Sequence, residues 1–155
     1  MTLLKTLAVA VSVASSKRDA ASQAVGHAQQ RYIAARDQLH QLESYAKETE
    51  DRWMVQAQTC AVPELMRHHY QFMERLEQAM QLQRGMLAEE ARRVDAVKKQ
   101  LAEAEIRLAT LKQICRKKQQ EVDRAQSRRE QKQTDEFAAQ RFGKSMDQQC
   151  GEVTS

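Results

Sequence analysis

Alternate steps of three and four residues from Leu4 land on Leu4, Leu7, Val11, Ala14, Arg18, Ala21, Val25, Ala28, Tyr32, Ala35, Leu39, Leu42, Ala46, Thr49 and Trp53. Only Arg18 and Thr49 break this apolar row, which keeps one phase throughout. An apolar stripe that repeats every 3.5 residues over so many turns is buried only by a second helix wound around it with a left-handed twist. The first element is therefore a long helix over about residues 3–57 whose seam demands a partner. Because the seam is rich in Ala and poor in Ile, the two backbones can approach closely while each layer buries little area, so stability has to accumulate along the length.

The phase lapses near residue 58, and the segment Gln58 to Val62 leads into Pro63, the only proline in the chain. Proline suits the first helical turn, where its missing N–H would have had no intrahelical partner, and Glu64 beside it suits the positive end of the helix dipole. A second phase then runs through Met66, His69, Met73, Leu76, Met80, Gln83, Leu87, Glu90, Val94, Val97, Leu101, Ala104, Leu108, Leu111, Cys115, Lys118, Val122 and Ala125. Gly85 lies inside this helix but off the seam, where it costs only about 1 kcal/mol relative to Ala. Composition alone leaves helix against disorder open, since 30% of residues are charged and mean hydropathy is −0.75. Two unbroken phases decide for helix, in keeping with a 47% share of Ala, Glu, Lys, Leu and Arg (73 of 155 residues). Seven aromatic residues and four Gly leave little material for a sheet or a compact enzyme core.

Two seam-bearing helices joined by a few residues close on each other as an antiparallel hairpin, so the expected fold is all-α, a long antiparallel two-helix coiled coil with unequal arms. It spans residues 1–142, with a turn at 58–62, a second helix over 63–142 and a flexible tail over 143–155. Residues face each other when their numbers sum to about 121. Leu4 then meets the region of Lys117, and everything past about residue 119 lacks a partner in its own chain. The seam agrees, because after Ala125 the phase reads Arg129, Lys132 and Glu136. The charge sits in the same place. Residues 112–132 carry eight Lys or Arg against three acidic residues, a net of +5, so the remainder of the chain, whose total is +4, sums to −1.

Several chemistries find no support. Cys60, Cys115 and Cys150 are an odd, widely spaced set that fits neither a disulfide framework nor a CxxC pair, and the simplest setting for them is a reducing cytoplasm. The opening MTLLKTLAVAVSVASS has the outline of a secretory leader, yet it shares one heptad phase with the rest of the first helix and reads as helix. His68 and His69 are adjacent and point about 100° apart, so they cannot chelate one ion; His27 and His40 are isolated. No phosphate loop or nucleophile elbow occurs, and a two-helix hairpin has no interior in which to desolvate a catalytic group. No enzyme activity, cofactor, metal or small-molecule substrate is expected.

Two surfaces stand out. Leu65, Phe72, Ala79 and Met86 form a second apolar row beside the seam of the second helix, and Tyr45 flanks the seam of the first near the same end. This is either an exposed partner patch or a broadened seam. The basic end, including Arg116, Lys117, Lys118, Arg124, Arg128, Arg129 and Lys132, has three readings: a solvated surface, a nucleic-acid contact, or a helix that enters an acidic protein socket. The three interspersed acids and the absence of a parallel dimer seam that would fork it across DNA speak against nucleic acid.

The less generic motifs sharpen this. Gln-x-x-x-Leu-x-x-Tyr over Gln38, Leu42 and Tyr45, then the run YQFMERLEQA from Tyr70, then Asp-Glu-Phe-Ala from Asp135, appear in this order, together with the leading LLKTLA. Over nearly the whole chain the sequence resembles the flagellar export protein FliJ family. That resemblance implies a cytoplasmic, non-enzymatic component of the flagellar type III export apparatus, peripheral at the cytoplasmic face of the inner membrane. It implies three partners: the hexameric export ATPase FliI, the export-gate protein FlhA and the flagellar export chaperones. By motif, the gate-binding surface falls on Gln38, Leu42, Tyr45, Phe72, Leu76 and Ala79. Thr49 stands where an aromatic residue often sits, and Gln83 where a histidine can occur. The ATPase contact falls on the open end of the hairpin, and its candidates are Arg116, Lys117, Lys118, Arg124, Arg128, Arg129 and Lys132. A generic cytoplasmic coiled coil that binds nucleic acid through its basic end is the alternative.

Overall fold

The computed structural model describes residues 2–59 and 62–152, with residues 149–152 as backbone only. It contains two helices, α1 (Thr2–Thr59) and α2 (Pro63–Glu152). They pack against each other as an antiparallel hairpin, and no strand occurs among the described residues. The chain divides into two compact units, one built from Ala14–Arg107 and the other from Met1–Val13 with Leu108–Ser155.

The helix ends follow from local chemistry. Thr59 Oγ1 donates to the Gln56 carbonyl at 3.0 Å, which satisfies one of the unpaired acceptors at the end of α1. The Val62 carbonyl accepts the first bond of α2, from the Met66 N–H at 3.1 Å, which places Pro63 at the first helical position and Glu64 in the first turn. Of the turn expected at 58–62, Cys60 and Ala61 lie outside the described residues. At the other end the sequence suggests a stop at Phe142, but α2 continues to Glu152. Gly143 carries no positive φ and so makes no C-cap, and no proline comes after it, so nothing local ends the helix there.

In the unit Ala14–Arg107 the seam lies where the heptads place it. All its α1 positions from Ala14 to Trp53 are buried or half-buried, and so are those of α2 from His69 to Ala104. Met66, at the beginning of the second phase, is 37% exposed instead. The core is asymmetric: Ala46 of α1 packs against Leu76 and Met80 of α2, with Leu39, Leu42 and Met73 around them. Small residues on one helix accept large ones from the other, as an alanine-rich seam requires. Trp53 stacks on His69 with centroids 4.5 Å apart, and Gln83 Nε2 donates to the Ala35 carbonyl at 3.0 Å and to Gln38 Oε1 at 3.1 Å. These pairs keep the register in which residue numbers sum to about 121. Arg18 tolerates its seam position because its guanidinium turns back to Asp19, at 2.7 Å.

The second unit is thinner. Leu4, Leu7 and Val11 are half-buried, as are Leu111, Cys115 and Lys118, and Leu108 is 4% exposed. From Gln119 to Gln148 every residue is exposed. Val122 and Ala125, which continue the heptad phase, therefore have nothing to cover them: the register carries them past the last α1 residue they could face.

Candidate functional site

Two surfaces hold the residues singled out from sequence. The first lies in the unit Ala14–Arg107, near the turn. Tyr45 is 51% exposed and Phe72 is 40% exposed, and their rings meet edge to face with centroids 6.2 Å apart across the two helices. An edge-to-face pair of this kind is a favoured aromatic geometry, and here it stands mostly in solvent. Leu65 and Met86 are 50% and 58% exposed, so the second apolar row is a surface feature except at half-buried Ala79. Gln38, Gln41, Leu42, Tyr45 and Gln83 line a shallow hollow beside the aromatic pair. The Gln83 amide fastens its floor to α1 through the bonds to Ala35 and Gln38. Arg84 reaches Glu43 at 3.6 Å and Glu77 at 3.4 Å on the same flank.

The six gate-binding candidates do not form one exposed set. Gln38, Tyr45 and Phe72 are exposed, and Leu42 and Ala79 are half-buried. Leu76 is 7% exposed and belongs to the core with Ala46 and Met80, so it positions the patch and offers a partner almost no surface. The helical repeat explains the difference: Phe72 and Leu76 are four residues apart, but Leu76 sits on the seam row and Phe72 one position outside it. Leu82, 71% exposed, extends the apolar surface and was not legible from a strict seven-residue row.

The second surface is the end of α2 from Arg116 onward, which begins beside α1 and runs past it. Arg116, Lys117, Arg124, Arg128, Arg129 and Lys132 are exposed and Lys118 is half-buried. Lys118 pairs with Glu121 at 3.4 Å, whereas Lys117, Arg124, Arg128, Arg129 and Lys132 have no ion-pair partner among the described residues. Two of the arm's acids accept hydrogen bonds from neutral amides and keep their charge: Gln119 donates to Asp123 at 2.9 Å and Gln126 to Glu130 at 3.4 Å. With eight Lys or Arg against three acids, residues 112–132 leave a positive potential at the root of the arm that an acidic surface can neutralise. Phe137, Phe142 and Met146, all more than half exposed, come after the cations. Heptad stepping passes over Phe137 and Phe142 because both fall outside the seam phase.

Among the described residues, no group of three or more His, Cys, Asp or Glu is placed to hold a metal ion, and no helix is long and apolar enough to cross a membrane. The hollows along the helices are shallow grooves between side chains. Comparison with curated proteins finds no match, and neither does comparison with solved structures. A protein-family comparison does: the model of the flagellar FliJ protein family matches residues 4–147. A hairpin of two seam-bearing helices over the same stretch of chain agrees with that match, and the chain belongs to the flagellar FliJ family, as a component of the flagellar export apparatus.

Proposed function

We propose that this component works by binding alone, as a stalk that docks on the hexameric export ATPase FliI through the cationic arm of α2. Through the Tyr45–Phe72 patch it links that ATPase to the export gate FlhA and its chaperones, at the cytoplasmic face of the inner membrane. The observation that carries this reading is the stretch from Gln119 to Gln148: one helix, exposed on every side, with Arg124, Arg128, Arg129 and Lys132 at its base, none of which has an ion-pair partner among the described residues. A protein that needed only solubility would not leave such a stretch without a partner helix, because isolated helical segments are marginal in water. If the arm binds one assembled or nucleotide-loaded state of the ring more tightly, it shifts the ring toward that state. Type III export and ATPase regulation are part of this reading.

The test is charge reversal. R124E, R128E and R129E together should abolish stimulation of the purified ATPase while far-ultraviolet circular dichroism stays unchanged, because none of the three side chains is buried. Undiminished stimulation would remove the arm from the ATPase contact. A gel shift at physiological salt provides the counter-arm: strong, salt-sensitive DNA binding without any ATPase effect would reassign the cations to phosphates.

A further inference from the structure

The arm has two different faces. At 100° per residue, Lys117, Glu121, Arg124, Arg128, Asp135, Ala139, Phe142 and Met146 lie within about 40° of one azimuth, since their spacings of seven, four and three residues keep returning to the same side of a straight helix. The opposite side carries Gln119, Gln126, Gln133 and Gln140, one every seven residues, together with Asp123, Glu130 and Phe137. Part of that side is satisfied within itself. Gln119 and Gln126 bond Asp123 and Glu130, and the Arg141 guanidinium lies 5.3 Å from the ring centroid of Phe137, although that ring is still 61% exposed. The first side is not: its cations have no ion-pair partner among the described residues, and Phe142 and Met146 are 67% and 57% exposed.

Along that unsatisfied side the chemistry changes once. Lys117, Arg124 and Arg128, with Glu121 among them, span about 16 Å, and past Asp135 the residues Ala139, Phe142 and Met146 make an apolar stretch of about 10 Å. Resting on the docking reading above, we infer that the arm ends in an apolar anchor: Phe142 and Met146 enter a pocket of the ATPase ring that lies past an acidic stretch on the same path. The cations govern approach and orientation, as exposed charges do, and are weakened by salt. The anchor governs residence, because well-buried aromatic and thioether side chains carry a disproportionate share of interface energy and act mainly on dissociation. A membrane surface fits less well. The apolar face is two large side chains long, Asp135 lies on the same stripe, and an interfacial helix needs a broader apolar face.

The experiment measures association and dissociation of the full chain on the purified ATPase hexamer, at low salt and at about 0.5 M NaCl, where charges more than a few ångströms apart are screened. F142A with M146A should leave association nearly unchanged, speed dissociation by about tenfold or more, and lose the fraction of binding that survives high salt. F137A, on the satisfied side, should behave as wild type. If F142A/M146A dissociates like wild type while R124E/R128E/R129E no longer associates, the anchor is overturned and the docking reading stands. Failure of the wild-type chain to bind the ATPase at all would overturn both. An F137A effect as large as that of F142A/M146A would overturn the two-faced arm. Sedimentation with phosphatidylglycerol vesicles closes the remaining route: wild-type binding lost in F142A/M146A would assign the anchor to lipid and overturn the protein pocket.

Discussion

Replacing Glu90 with leucine should stabilise the protein, although it removes a charged residue that forms an ion pair. Glu90 holds a seam position of α2, and its side chain is only 18% exposed. One carboxylate oxygen meets Arg93 Nη1 at 3.3 Å; the other, Oε2, is closed off from solvent and has no hydrogen-bond partner among the described residues. Across the seam Ala24, Ala28 and Ala34 line a hollow with Glu90, and His27, Arg31 and Arg93 border it. A buried, unpartnered polar atom costs about 1–3 kcal/mol. The pair with Arg93, itself 58% exposed, returns less than about 1 kcal/mol. Leucine in the same place adds apolar contact, worth about 1 kcal/mol here because the hollow is open and the facing alanines cover only part of it. The expected gain is about 1–3 kcal/mol, in the range seen when buried charges give way to apolar residues. For a chain of this length that is a rise of roughly 2–4 °C in Tm for each kcal/mol. Thermal melts and urea titrations monitored by circular dichroism read it directly, and E90Q, which removes the charge but keeps the shape, should fall between the two. A lower urea midpoint for Glu90→Leu, at an unchanged m-value, would refute the reasoning: Oε2 would then be satisfied by solvent or by Arg31 within the hollow. A changed m-value would instead show that the polar position holds the two helices in register, a role that such residues play in other coiled coils.

Two further outcomes separate surface from seam. L76A should cost about 3 kcal/mol, because it empties a core position, whereas F72A should cost about 1 kcal/mol and Y45A less, since solvent can fill what they leave. Binding to the gate protein, measured on folded samples, should reverse that order, with Y45A/F72A losing affinity at least tenfold and L76A keeping it; equal destabilisation by F72A and L76A would place Phe72 in the seam. Q83A should lower stability by about 1 kcal/mol, because its two bonds to α1 vanish while the Ala35 carbonyl keeps its place in the helix ladder, and an unchanged urea midpoint would show that those bonds contribute nothing net.

The fold was legible because its rule is one-dimensional. A seam needs only a repeating position, and from Leu4 to Trp53 and from His69 to Lys118 that repeat alone picks out residues that are buried or half-buried. The rule weakens at its ends. Met66, Val122 and Ala125 keep the phase but not the burial, since a heptad is a property of one strand and contact is a property of two. The end of α2 was less legible still: Gly143 reads as a stop only if the chain turns there, and with helical φ and open space around its Cβ position it is one more helical residue. The patch was half legible. Its apolar row could be written down from spacing, but the difference between Phe72 at 40% exposure and Leu76 at 7% depends on how far the neighbouring helix wraps around the seam.

A chain with so little interior has to carry its function on whatever the seam leaves over, and the residues left over here differ in kind. Beside the Leu39–Met80 cluster, the seam is well filled and the surplus is apolar: Leu65, Phe72, Leu82 and Met86 have no room inside. Such a surplus is stable against the loss of any one side chain and suits a partner that comes and goes, because each exposed side chain returns to water at modest cost. On the arm of α2 the surplus is a whole helix, and neither seam nor cap supports the stretch from Gln119 onward. Hydrogen exchange tests the distinction without any mutation. Amides from Ala14 to Arg107 should be protected in the free protein, whereas those from Gln119 to Gln148 should exchange orders of magnitude faster and become protected only when the ATPase is added. Strong protection of the arm in the free chain would mean that the helix stands by itself, and the case for a partner would then rest on its unpaired cations and on Phe142 and Met146 alone.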